Sequence, residues 1–501
     1  FRASLANLVK PALQTRSEIR YSLFAFLIPL AVRAVPEVLM GPYVVGFDSI
    51  AYYVPFVYSW VRHGVDFWGF LAEVPLLYCM LTLTALLGLN LVSAIKVFAP
   101  LLHGFFALAV YGFSSRALGW SPRKSLLATL LVTLYFVALR VSWDLLRNEL
   151  ALIFLFIALT MIHKGCKDWK GCFLLSLTMI LVALSHELVT VILFVIVGAM
   201  VLRLLFKSEQ VEARGLILAS LPAASLFLLI FYAKCKVSSG EFLRVLLSFP
   251  AKEPEGWLSL NGFSSYPDMV IHMVGFLFYC HLLLLPLAMM GAKSLRNFEI
   301  KSWTLWSLVA ILLPVITQSA WFGGYRWVLM LTYPLSFYVT EGLTRIRVRS
   351  HRLLVCFILG IFVAAFIAMP YGYGIFAIRQ YTVYIPSSML QNSVPLNDCE
   401  DTVNVLRWLK SGMEGEARLL THRAFYGWAL LTLNENQVIQ YEYGNPERVA
   451  RDVAQLGHDP IYLIWWVNGF GWYGQPTVPS SFREVCRSGR IAIYIYTVSF
   501  A

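Results

Sequence analysis

Charge is what this 501-residue sequence has least of. Asp, Glu, Lys and Arg make up 14% of it, where a soluble globular chain carries about 25%. Together with 59% apolar residues and a mean hydropathy of +0.69, that deficit excludes a string of soluble domains and a disordered chain alike. The eight cysteines include no C-x-x-C pair and no Cys/His cluster at zinc spacing, which removes a structural zinc site and a disulfide scaffold. P-loop, G-x-S-x-G, H-E-x-x-H and dinucleotide-binding patterns are missing. No internal repeat, inverted-repeat signature or low-complexity linker is visible.

Long apolar runs are what the sequence has instead. Runs near 21–40, 92–114, 125–142, 149–163, 171–184, 188–206, 215–233, 269–291, 303–319, 327–343 and 353–370 approach the 20 or so residues that cross a bilayer as helix. The first reads as a signal anchor and not as a cleavable signal peptide. One further run, 74–89, is short and opens at Pro75. If it stays in the interface and the N-terminus is cytoplasmic, twenty Lys and Arg fall in inner segments and eight in outer loops, as the positive-inside rule asks. If it crosses, the cluster Arg345, Arg347, Arg349 and Arg352 lands outside. The expectation is therefore a polytopic α-helical protein of the cell membrane with about eleven spans, residues 1–370. Its outer loop 41–91 carries interfacial helices, and the C-terminus is extracytoplasmic. The net charge of +12 is then a topology signal, and no nucleic-acid partner is expected.

From about 371 the composition turns ordinary, with ten basic and eleven acidic residues. Helix-like stretches (Glu400–Ser411, Phe425–Leu433, Glu447–Leu456) alternate with strand-like ones (Arg418–Thr421, Val438–Tyr441, Ile461–Trp466, Ile491–Val498). Residues 371–501 are expected to form a small extracytoplasmic α/β domain. Cys399 and Cys486 fall there, where the compartment permits a disulfide; two unpaired cysteines is the alternative.

Ionisable groups at a membrane are costly, which makes them candidates for function. Four sets share the outer side in this topology. Asp48, in Gly46-Phe47-Asp48-Ser49, reads as a general base or metal ligand, or as the N-cap of a helix over Ser49–His63. Arg140, Asp144 and Asn148 share a helical face, with Arg147 adjacent and Glu149 following. They read as a phosphate-binding and orienting set, or as an ion pair easing a helix out of lipid. Ser185-His186-Glu187 is a phosphate or metal contact, or a polar cap. Arg326, after Gly323-Gly324-Tyr325, has the planar fork of donors that suits phosphate; otherwise it is an interfacial Arg beside Trp321 and Trp327. The aromatic stripe Trp465–Tyr473 is domain core, membrane contact or a stacking platform for sugar rings.

Taken together, these features resemble the GT-C glycosyltransferases, within the broad protein-mannosyltransferase-like and aminoarabinose-transferase-like group. The carriers of the resemblance are Gly46-Phe47-Asp48 soon after the first span and the interfacial stretches 50–63 and Pro75–Leu89. Asp144, Arg147, Asn148 and Glu149 in a second outer loop, and Arg326 ahead of the Pro334-containing span, complete it. It covers essentially the whole chain. Two departures stand out: Trp465-Trp466-Val467-Asn468-Gly469 lacks the Asp of the oligosaccharyltransferase W-W-D-x-G motif, and Asp48 has no acidic neighbour. The resemblance implies a membrane glycosyltransferase using a polyprenyl-phosphate-linked sugar and a glycan, lipid or protein acceptor. It implies Asp48 as catalytic base and Arg326, Arg147 and His186 at the donor phosphate. Asp144 and Glu149 would orient the reactants, and Asp48, Asp144 and Glu149 are the candidate ligands for a divalent metal (Mg or Mn). The competing expectation is a lipid-linked-sugar flippase or secondary transporter without chemistry, which predicts mid-membrane charges, broken helices and repeat symmetry.

Overall fold

The computed structural model describes residues 2–165, 168–238, 265–317, 324–370, 381–382, 384–413, 416–441, 446–467 and 478–497. It is mainly helical with one small sheet. The described parts of the eleven expected apolar stretches are mainly helix, but fewer qualify as straight spans. By length and composition six helices among the described residues can cross a membrane: Ser17–Leu39, Leu91–Arg116, Leu146–Lys164, Glu187–Phe206, Gln210–Val237 and Arg349–Ala368. The count reaches eight if two bent pairs are each one span.

The bends have local causes. The expected 125–142 span breaks at Tyr135, whose extended φ −60°, ψ 140° separates Pro122–Leu134 from Phe136–Asp144 with a bend of 59°. The 269–291 span breaks ahead of Pro286, where Tyr266–His281 and Leu285–Ala292 meet at 77°; proline removes a donor and crowds the preceding turn. Gly324–Arg345 is long enough, but Arg326, Thr332, Ser336, Thr340 and Glu341 dilute its hydropathy. The helix Leu76–Leu86 has 11 residues; at 1.5 Å per residue it rises about 16 Å, roughly half of a 30 Å hydrocarbon core.

The chain divides into two compact units. The first gathers Phe1–Ala34, Val65–Met80 and Val97–Ala364. Its helices come close where side chains are smallest. A Cβ on Gly291 would overlap the Tyr338 carbonyl, and one on Gly342 would overlap the Leu287 carbonyl. Helices Leu285–Ala292 and Gly324–Arg345 thus meet backbone to backbone, the usual packing device where lipid supplies no hydrophobic drive. Phe106, Phe113, Phe156, Trp303, Tyr333 and Phe337 interlock in the same core. The short helix Phe67–Ala72 rests on Gln210–Val237 through Leu71, Ala72, Ile230 and Ala233.

The second unit gathers Val35–Gly64, Leu81–Lys96 and Ala365–Ala501. Its sheet runs β2-β1-β3-β5-β4, with β1 Arg418–His422, β2 Val438–Tyr441, β3 Ile461–Trp466, β4 Phe482–Ser488 and β5 Ile491–Tyr496. β1 pairs in parallel with β2 and β3, and β3 and β4 flank β5 antiparallel. Helices Leu396–Gly412, Arg423–Thr432 and Pro446–Gln455 complete the α/β arrangement. β4 is the strand that sequence reading missed: Phe482-Arg-Glu-Val-Cys-Arg-Ser488 is polar and bulged between Glu484 and Cys486. Cys399 and Cys486 are both free. The permitted bridge does not form, since Cys399 is buried within a helix and its Sγ bonds Asn392 and the Pro395 carbonyl.

Candidate active site

In the first unit the helix Phe136–Asp144 ends at a break, Leu145 having left helical geometry (φ −85°, ψ 52°) before Leu146–Lys164 begins. Arg140, Asp144 and Arg147 therefore sit at a helix junction. Arg140 Nη1 pairs with Asp144 Oδ1, and both side chains are buried. Arg33 and Arg326 lie within electrostatic reach of the same carboxylate. Arg33 is fully buried, its Nε donating to the Ser142 carbonyl at 3.0 Å.

A second carboxylate, Glu187, collects Arg147 Nη2 at 3.3 Å and Lys234 Nζ. His186 Nε2 stands 3.8 Å away. The Arg147 guanidinium also covers the Tyr78 ring, 5.5 Å from its centroid. Arg326 links the two groups, acting on His186 as well as Asp144; its Nε donates to Tyr325 Oη at 3.0 Å. Glu73 adds a third carboxyl: burial raises its pKa, Glu187 adds to the rise, and Arg147 and Lys234 oppose it. Arg33, Arg140, Arg147, Lys234 and Arg326 thus outnumber Asp144, Glu187 and Glu73, an excess of fixed positive charge that suits a phosphate.

His186 is a cap. Its Nδ1 accepts the Leu188 N–H at 3.1 Å, so the neutral ring carries its proton on Nε2. Burial pushes its pKa down to about 3, with Arg147, Arg326 and Lys234 adding to the effect against Glu187. The ring is an uncharged donor near neutral pH and not a cation.

Glu149 is not with this group. It is buried and pairs with His103, Nδ1 to Oε1 at 2.5 Å. Two residues beyond Arg147 on a helix, it projects from a different side. Of the three expected metal ligands, Asp144 and Glu149 lie in this unit, and each has a partner of its own. Among the described residues no three His, Cys, Asp or Glu lie together as a metal site; Arg140 takes Asp144 and His103 takes Glu149.

Asp48 belongs to the second unit. It opens a single π-helical turn, Ser49–Tyr53, that runs into Val54–His63, and its carboxyl makes no capping hydrogen bond. The N-cap reading of Asp48 therefore fails. Position comes from the backbone around it. Gly46, at φ +95°, donates its N–H to the Gln391 carbonyl at 3.1 Å, and Asn392 Nδ2 donates to the Val44 carbonyl at 3.0 Å. On the far side of the turn, helix Arg423–Thr432 approaches so closely that a Cβ on Gly427 would overlap the Ile50 carbonyl. Lys96 closes the preceding segment, its Nζ reaching the carbonyls of Glu37 at 2.5 Å and Tyr43 at 2.7 Å.

With this geometry in view, comparison with known proteins is informative. No protein-family profile matches the sequence, and no curated protein matches it. Solved structures do. The chain is similar to ArnT, an aminoarabinose transferase of Cupriavidus metallidurans, both bound to undecaprenyl phosphate (TM-score 0.56, 12% identity, 97% of this chain and 98% of that one) and in the apo state (TM-score 0.57, 11% identity, 98% of each). It is also similar to the apo oligosaccharyltransferase of Archaeoglobus fulgidus (TM-score 0.53, 10% identity, 89% of this chain and 70% of that one). The fold is that of the GT-C glycosyltransferases.

Within this GT-C fold the described part of the aromatic stripe is core. Trp466 Nε1 donates to buried Asp398 Oδ2 at 3.0 Å, and its ring meets Phe425 at 4.5 Å between centroids. Residues 468–473 of the stripe, and Trp321 and Gly323, lie outside the described residues. Sequence reading passed over Arg33, Glu73, Lys234, Gln391 and Asn392. Arg33 had a signal, as a lone charge inside an apolar run; Gln391 and Asn392 had none, being ordinary polar residues in what reads as a connection.

Proposed function

We propose that this protein is a membrane glycosyltransferase that moves a sugar from a polyprenyl-phosphate carrier to an acceptor hydroxyl on the extracytoplasmic face. The observation that carries the reading is the concentration of Arg33, Arg140, Arg147, Lys234 and Arg326 around only three carboxylates, at buried or half-buried positions of a GT-C fold. Such a surplus matches a phosphate whose charge grows as the sugar leaves. That ArnT of Cupriavidus metallidurans has been seen bound to undecaprenyl phosphate supports a carrier of the same chemistry.

In this reading Asp48 takes the proton from the acceptor hydroxyl as its oxygen attacks the anomeric carbon. The new C–O bond forms on the face opposite the departing phosphate, whose oxygen keeps the electron pair of the broken bond. One displacement with inversion results. Arg326 and Arg147 hold the phosphate, and His186 contributes its Nε2–H without adding charge. Asp144 keeps Arg140 and Arg326 aimed.

The test is transfer by purified protein in detergent, given polyprenyl-phosphate sugars and hydroxyl acceptors. Asp48→Asn should lower the rate by roughly 100- to 10,000-fold, the usual contribution of a general base. Full activity in that variant removes the assignment. The bent helix pairs and the buried His103–Glu149 pair are features that a flippase would also carry. A flippase forms no glycosidic product once the membrane barrier is gone, so the same assay separates the two.

A further inference from the structure

The second unit carries an open cavity of about 320 Å³ for which the chemistry above has no use. One wall is a helical face made by Tyr52, Phe56 and Ser59; the other comes from Arg423, Tyr426 and Gln440. The first three recur at intervals of three or four residues and share a side of their helix, and Asp48 stands one turn ahead of Tyr52. The cavity therefore lies along the same helical run that begins at the proposed base.

Its lining is mixed in a particular way. Tyr52 Oη receives a hydrogen bond from Arg423 Nη1, and the guanidinium covers the Tyr52 ring at 4.8 Å from the centroid. Glu435, also in the lining, is steadied by His63 Nε2 at 2.9 Å and Arg62 Nη1 at 3.7 Å. Planar polar groups held in place by neighbours stand beside aromatic rings, Ala51 and Pro55 are the aliphatic part of the lining, and among the described residues no Leu, Ile, Val or Met lines the cavity. A lipid tail would ask for such an aliphatic lining. A sugar asks for what is present: donors and acceptors for its hydroxyls and ring faces for its C–H side. The volume lies at the small end of ligand pockets, roughly 300 to 1,000 Å³.

We infer that this cavity is the acceptor subsite and that the acceptor is a carbohydrate, its hydroxyls met by Arg423, Glu435 and Gln440 and its ring by Phe56 and Tyr426. The inference rests on the transferase reading only in calling the bound sugar an acceptor; the cavity's preference for carbohydrate stands on its lining.

The experiment is saturation-transfer NMR on the full chain in nanodiscs, with methyl glycosides of hexoses, N-acetylhexosamines, pentoses and hexuronic acids as probes. At least one class should bind. Gln440→Ala and Tyr426→Ala should each weaken it by about tenfold, the effect of leaving a polar partner unmet or a stacking face removed, and Asp48→Asn should leave it bound. Gln440 is exposed on β2, so its substitution carries the test even where Tyr426→Ala fails to fold. Saturation of none of the probes, or undiminished binding by Gln440→Ala, overturns the inference. The two readings separate cleanly. Transfer surviving Asp48→Asn removes the base and leaves the sugar site, whereas transfer lost with no glycoside bound removes the sugar site and leaves the base.

Discussion

The two compact units handle buried polarity in opposite ways. In the first, side-chain charges neutralise one another over long sequence distances: Arg147 and Lys234 meet on Glu187, and Arg140, Arg33 and Arg326 surround Asp144. In the second, the polar work around Asp48 is done mainly by backbone, through Gly46, Val44 and the segment Ser387–Ser393, whose Ser387, Ser388, Gln391, Asn392 and Ser393 are all fully buried. A charge network can bind and release a charged ligand because its members exchange partners. A backbone-held turn fixes one side chain in one place. The first design suits a phosphate that arrives and departs, and the second suits a base that must stay still.

The sharpest way to break this contrast is Arg326→Ala. If Arg326 stabilises the leaving phosphate, transfer should fall by about 100- to 1,000-fold, the cost of one well-placed donor at developing charge. The melting temperature should change little, because Arg326 is half-buried and its Nε donates to the hydroxyl of the neighbouring Tyr325. A large loss of stability with normal transfer would mean that the cation is structural and the phosphate is held elsewhere.

Next in size is Gly427→Ala. The added methyl has no room against the Ile50 carbonyl, so helix Arg423–Thr432 must shift away from the Ser49–Tyr53 turn. Overpacking of this kind costs about 1–3 kcal/mol. Thermal unfolding should show it, and transfer should drop together with glycoside binding because both depend on that turn. A folded, fully active Gly427→Ala protein would show that the turn needs no such support. Asn392→Ala probes the same scaffold from the other side. Losing the bond to the Val44 carbonyl should cost about 1 kcal/mol, seen as a small drop in melting temperature with a larger relative loss of transfer.

These residues also show where the sequence stops being readable. Charges in apolar surroundings announce themselves because burying them is expensive, so Asp48, Asp144, Arg147, His186 and Arg326 could be picked out one at a time. Their pairings could not: Lys234 lies 47 positions from Glu187, and no local rule joins them. The partner of Glu149 was hidden in the same way, since His103 is 46 positions away on another helix. In the tail, short β-rich runs located β1, β2, β3 and β5, of which β1, β3 and β5 are largely buried. Among the described residues β4 pairs only with β5, and its sequence is mostly polar, so it gives no apolar alternation to read. The Gln391–Asn392 support is the hardest case. Gln391 acts through its main-chain carbonyl, and the Asn392 amide reaches a main-chain carbonyl 348 positions away, so neither leaves a local pattern in the sequence.

The smallest effect is the most specific to the charge network, and it concerns His186. Its folded pKa is about 3 and its unfolded value is about 6.5. A depressed folded pKa means that the native state favours the neutral ring. The stabilisation tied to it is fully present above pH 6.5 and is lost as pH falls from there towards 3, because the unfolded chain takes up the proton first. Below pH 6.5 one such group steepens the acid loss of stability by about 1 kcal/mol per pH unit. His186→Gln, which can still donate from its amide, should melt with a shallower dependence between pH 6.5 and 5 than the parent while matching it more closely at pH 8. If the two slopes coincide, His186 is already charged or solvated in the native state. The surrounding Arg147, Lys234 and Arg326 would then not form the dry, fixed positive field that distinguishes this region from the backbone-held turn at Asp48.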